Sequence, residues 1–142
     1  MERLLIAVVI LVVALVVAWF AQRRRPDAPM QTSADRLLPH QLDRGDFTSP
    51  EQTYLVAVFS SDSCDACASV LAAVETLAAP DVAIQNISWQ FDKDLHDRYA
   101  IETVPATVIA GPDGVVGAGF LGQMQVAELV ESMTALRNTS LG

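Results

Sequence analysis

The sequence predicts a small α/β domain, a mixed central sheet with flanking helices, preceded by one N-terminal transmembrane helix. Three observations carry this expectation. Residues 4–21 (LLIAVVILVVALVVAWFA) contain no charged side chain and are followed by Arg23, Arg24 and Arg25. Residues 54–59 (YLVAVF) form an unbroken apolar, β-favouring run, the pattern of a strand buried on both faces of a sheet. From there to the C-terminus, helical and strand periodicities alternate, which implies a sheet with helices on both faces.

At 142 residues the chain has room for one compact domain. Its 51% hydrophobic content owes much to residues 4–21, and the net charge of −8 understates how acidic the remainder is. Beyond residue 25 lie 16 of the 17 acids but only five bases, Arg36, Arg44, Lys93, Arg98 and Arg137, for a net charge near −11. That balance argues against binding nucleic acid, where phosphates call for clustered Lys and Arg. It equally argues against electrostatic adhesion to anionic lipid.

As a helix, residues 4–21 would be about 27 Å long, close to the roughly 30 Å of a hydrocarbon core, with Gln22 and the arginine stems covering the difference. Trp19 and Phe20 fall where interfacial aromatics are favoured. A cleaved signal peptide is the rival reading. It fits less well, because the run is long and no A-x-A site precedes a cut. Residues 1–25 are therefore expected to be a single-pass anchor with a basic flank. Three arginines on the C-terminal side, against Arg3 and the α-amino group, place the rest of the chain in the cytoplasm by the positive-inside rule; the margin is small and an extracytoplasmic domain stays open. Residues 26–35 (PDAPMQTSAD) read as an extended linker.

The domain is expected over residues 36–137, with a tail at 138–142. Residues 36–42 suggest an edge strand and 47–51 a single turn. After the buried strand, Ser60, Ser61, Asp62 and Ser63 can each cap a helix. Cys67, Val70, Leu71, Val74, Leu77 and Ala78 then recur at helical spacing until Pro80. Residues 82–87 read as a second strand. Residues 92–100 form a short helix with Leu95 and Tyr99 inward and His96 exposed. Strands at 106–110 and 115–121 are joined by Gly111-Pro112-Asp113-Gly114, a turn sequence. A last helix aligns Val126, Leu129, Val130, Met133 and Leu136.

The two cysteines, Cys64 and Cys67, sit where the buried strand meets the helix. At this junction the first sulfur lies over the helix N-terminus, whose free N–H groups and dipole favour a thiolate, and the second lies one turn on. This is the arrangement that thiol–disulfide exchange requires, an attacking thiolate with a resolving thiol nearby. An inert pair or a structural disulfide is the plain alternative. Metal ligation would need two more ligands, and His40 and His96 lie in unrelated segments. Trp89 and Tyr99 read as packing residues, the methionines show no cofactor spacing, and the glycosylation patterns at Asn86 and Asn138 read as chance.

In residues 54–67 (YLVAVFSSDSCDAC) and 97–122 (DRYAIETVPATVIAGPDGVVGAGFLG) the chain resembles the thioredoxin superfamily. The resemblance spans roughly residues 36–137. It implies a thioredoxin-like fold, Cys64 as nucleophile, Cys67 as resolving cysteine, a redox-active Cys64–Cys67 disulfide with no other cofactor, and Val104-Pro105 as the cis-proline loop that docks substrate backbone. Gly122 falls where the family has a glycine after its last strand. The departures are specific. Where thioredoxins have Trp-Cys-Gly-Pro-Cys, this chain has Ser63-Cys64-Asp65-Ala66-Cys67, and Val58 stands where the family has a buried carboxylate. Asp65 adds negative charge beside Cys64, which opposes the dipole and disfavours the thiolate; a reductant is therefore expected in preference to an oxidant. The expected partners are protein thiols and disulfides, an electron-donating reductase, and the membrane through residues 4–21. A non-catalytic interaction module that keeps the fold and docks a membrane partner is the alternative.

Overall fold

In the computed structural model, strand β1 (Tyr54–Ser60) is buried at all seven positions. The described residues are 1, 2, 6, 9–16 and 36–140. The chain divides into two units, Met1–Met30 and Gln31–Gly142. In the first, residues 9–16 are helical, and the side chains of Val9, Ile10, Leu11, Val12, Val13, Leu15 and Val16 are exposed. No helix among the described residues is long and apolar enough to cross a membrane. Much of the expected 4–21 span, the arginines at 23–25 and the 26–35 linker lie outside the described residues.

The second unit holds a four-stranded mixed sheet in the order β2-β1-β3-β4, with β2 Val82–Ser88, β3 Ala106–Ala110 and β4 Val116–Leu121. β1 and β2 are parallel, whereas β1–β3 and β3–β4 are antiparallel. The helices are α1 (Cys67–Glu75), α2 (Lys93–Arg98) and α3 (Val126–Ser140), with a 3₁₀ turn at Arg44–Asp46. An unbroken apolar β1 follows from two covered faces. Val56 and Val58 face Val70 and Val74 of α1 and Leu129 and Met133 of α3. Leu55, Ala57 and Phe59 face Leu42, Phe47, Ile87 and Ile101, with Leu95 and Tyr99 packed against them. The edge strand β4 is half-exposed. It admits Leu38 against Gly119, where a Cβ would meet Leu38 Cδ1 at 2.6 Å.

Several expectations are corrected. The edge strand at 36–42 shrinks to a single bridge, Gln41 to Val115, with Val116 N donating to His40 O and Leu42 N to Gly114 O. Pro39 has no N–H to extend it, and Asp43 begins the 3₁₀ turn by accepting from Gly45 N at 2.9 Å. Gly114, at φ +77°, is required at this crossing because a Cβ would lie 2.0 Å from Leu42 O. The turn expected at 47–51 is present, closed by Gln52 N donating to Ser49 O at 3.0 Å, and it is preceded by the 3₁₀ turn at Arg44–Asp46, after which Phe47 enters the core against Tyr99. α3 runs to Ser140, so residues 138–140 are helix and not tail. Its buried stripe is narrower than expected. Leu129, Met133 and Leu136 pack into the core beneath the helices, whereas Val126 and Val130 lie on the outer side of α3 and are exposed.

The largest correction is His96, expected at the surface and found 1% exposed. α2 is short and lies against β2, so that Leu95 and His96 both turn inward. The imidazole Nε2 is 3.0 Å from Ile87 O and therefore donates to it, and the ring meets Phe59 and Trp89 edge to face.

Candidate functional site

β1 delivers the chain from the core at Ser60 into a turn, and α1 begins only at Cys67. The serines and Asp62 expected to cap this helix do not. Its N-cap is Ala66, without a side-chain cap bond, while the Ser61 and Ser63 hydroxyls lie 3.2 Å from each other. Backbone bonds shape the turn, from Cys64 N to Ser61 O and from Cys67 N to Cys64 O. Cys64 and Cys67 are joined by a disulfide with a Cα–Cα separation of 5.5 Å. Cys67 is buried, Cys64 is half-buried, and Asp65 between them faces solvent. Cys64 is thus the more accessible of the two, and Cys67 belongs to the buried stripe of α1 with Val70 and Val74. First-turn N–H groups left without a side-chain partner favour negative charge at this point.

The Val104–Pro105 peptide is cis. Ala106 pairs with Phe59, so Pro105 enters the sheet opposite the end of β1, the end that leads into the dithiol turn. Pro105 is buried and its carbonyl accepts from Gly122 N at 2.8 Å; Val104 is half-buried. The register thus places Val104 and Pro105 at the end of the sheet from which the Cys64–Cys67 turn leaves, although the chain separates them by some 40 positions.

Sequence reasoning missed the segment that braces the turn. Trp89 N donates to Ser60 O, and Gln90 Oε1 accepts from Asp62 N at 3.0 Å and from the Ser88 hydroxyl. Trp89 is held by His96 on one side, with Lys93 Nζ 4.7 Å from its ring centroid. Phe91 projects 85% exposed from the same loop. No signal in the sequence marks Gln90, because its role depends on the parallel pairing of β1 with β2. Among the described residues, no three His, Cys, Asp or Glu side chains converge in a group that could hold a metal ion. Chemically, the arrangement offers a reversible two-electron pair, S–S to two S–H, at an accessible turn.

No protein-family model and no curated protein matches the chain. Solved structures do. A mutant thioredoxin from Halobacterium salinarum is 25% identical, with a TM-score of 0.55 over 62% of this chain and 78% of that one. Mitochondrial thioredoxin 3 from Saccharomyces cerevisiae, in its oxidised form, is 21% identical, with a TM-score of 0.52 over 61% and 82%. The germline-specific thioredoxin Deadhead from Drosophila melanogaster is 21% identical, with a TM-score of 0.53 over 62% and 85%. The described domain has the thioredoxin fold, and its Cys64–Cys67 pair is consistent with a thioredoxin-superfamily domain.

Proposed function

We propose that this chain is a membrane-tethered thiol–disulfide oxidoreductase that reduces protein disulfides. The observation that carries the reading is the Cys64–Cys67 disulfide, accessible at Cys64 and buried at Cys67, on a thioredoxin fold. In the reduced protein, the Cys64 thiolate attacks a substrate disulfide and forms a mixed disulfide, and one substrate thiolate leaves and takes a proton. Cys67 loses its proton and attacks Cys64 Sγ. The second substrate thiol departs, and the Cys64–Cys67 disulfide is formed. Two electrons pass to the substrate, and a separate reductase restores the dithiol. Val104 and Pro105 form the surface along which the substrate backbone docks. Asp65 weakens the Cys64 thiolate, which favours the disulfide form and makes the dithiol a better reductant of its substrates.

The uncharged run at residues 4–21 supports the tether, and the three arginines after it support a cytoplasmic domain. The test is Cys67→Ser in the full-length protein in cells. Discrete adducts linked through Cys64 on non-reducing gels are expected, and the compartment of the captured proteins reports the side of the membrane. Absence of adducts, with Cys64 alkylatable and the protein well expressed, would overturn the reading in favour of a non-catalytic docking module. Asp65→Asn is expected to raise the reduction potential by about 10 mV, measured by equilibration with glutathione.

A further inference from the structure

Thr107 lies wholly buried in β3, and its hydroxyl has no hydrogen-bond partner. Valine has the same shape and suits a strand equally well, and it would avoid the cost of desolvating that hydroxyl. The oxidised fold therefore gives no reason for a threonine here.

The strand register shows what the hydroxyl lies near. Thr107 is paired with Val58 of β1 and with Phe120 of β4, and directly opposed residues share a face of the sheet. Val58, Ile109 and Phe120 belong to the core beneath α1, with Val70 and Val74. Cys67 begins the same buried stripe of α1, one turn before Val70. β1 ends two residues after Val58 and runs into the dithiol turn, and β3 begins one residue before Thr107. Thr107 is thus on the face that α1 covers, at the end of the sheet where α1 starts. The other hydroxyl buried on this face, Ser60, donates to Asn86 Oδ1.

We propose that the Thr107 hydroxyl becomes the hydrogen-bond partner of Cys67 Sγ when the disulfide is reduced, and stabilises its thiolate during the resolving step. The proposal rests on the exchange reading above. A disulfide sulfur is a poor acceptor, whereas a thiolate is a strong one, so the hydroxyl gains its partner only in the reduced state. Apolar burial otherwise disfavours the Cys67 thiolate, and neighbouring Val58 offers no charge or proton acceptor. Thr107 keeps its own proton throughout; the Cys67 proton passes to solvent or to the departing substrate thiolate.

The experiment mixes the reduced full-length protein in detergent with oxidised glutathione across pH. The first glutathione is released on capture by Cys64 and the second when Cys67 resolves the adduct. Thr107→Val is expected to capture at the wild-type rate and to resolve about tenfold more slowly at neutral pH, with the midpoint of the resolution profile about one unit higher. Thr107→Ser, which keeps the hydroxyl, is expected to resolve close to wild type. Normal capture with unchanged resolution in Thr107→Val would overturn the proposal alone, as would equal slowing in the serine and valine variants, which marks a packing effect. A wild-type protein that captures no glutathione would overturn the exchange reading itself.

Discussion

The two faces of the sheet are built differently. Beneath α1 and α3, β1 presents Val56 and Val58 to Val70, Val74, Leu129 and Met133, a mostly aliphatic layer joined by Tyr54 and Phe120, with Ser60 and Thr107 as its buried polar side chains. On the other face, Phe47, Phe59, Tyr99 and His96 form a chain of ring contacts. Polar bonds fix that chain at several points. Tyr99 Oη donates to Asp46 and accepts from Asp43 N, and Arg98 pairs with Asp46 at 3.0 Å. Nearby, the Arg44 guanidinium donates to the carbonyls of Gln52, Thr53 and Gly111. The aliphatic face carries the dithiol, where a dry floor under Cys67 matters. The aromatic face must pin segments 42–53 and 89–101, which no ladder holds, and directional bonds do this where apolar contact cannot.

Val58→Asp tests this contrast most severely. A carboxylate placed under α1 is expected to destabilise the domain by several kcal/mol at neutral pH, with part recovered on acidification as the buried acid takes up its proton; denaturant melts at two pH values measure both. Retained stability at neutral pH would mean that this face is wetter than its packing implies. His96→Ala removes the bond to Ile87 and two ring contacts, and is expected to cost about 3 kcal/mol in urea unfolding while leaving the disulfide intact. Tyr99→Phe removes the hydroxyl bond to Asp46 and is expected to cost about 1 kcal/mol. It also has a pH signature. Burial first, then the bond to Asp46, raises the Tyr99 phenol above its ordinary value. Its stabilisation is therefore present below about pH 10 and lost as pH rises beyond, where the unfolded state sheds the proton more readily. The phenylalanine variant should lack this alkaline component. Arg137→Gln, which breaks a partly exposed pair in which Arg137 Nη2 meets both carboxylate oxygens of Asp81, is expected to change stability by less than about 1 kcal/mol, and less still in high salt.

Much of the fold was legible because strong local signals agreed with the tertiary arrangement. The run in β1, the Gly111–Gly114 turn and the cysteine pair at a strand–helix junction each encode their state over a few residues. Legibility failed where a residue's state depends on distant partners. His96 has the composition of a surface helix residue and becomes buried because Phe59, Ile87 and Trp89 surround it. Residues 36–42 have strand propensity, but Pro39 and the turn at Asp43 leave one bridge. Ser60 to Ser63 are good caps by type, but the turn that carries Cys64 moves the helix start past them.

By itself, then, the sequence determined the element order, the dithiol spacing and the acidic surface, all properties of adjacent residues or of totals. The tertiary structure decided which cysteine is the more accessible, that Pro105 stands at the end of the sheet leading into the dithiol turn, that Gln90 braces the turn and that Thr107 is left with a buried, unpaired hydroxyl. These depend on how distant segments meet, and for Thr107 a one-residue change in strand pairing would move its hydroxyl to the other face of the sheet without altering any local propensity.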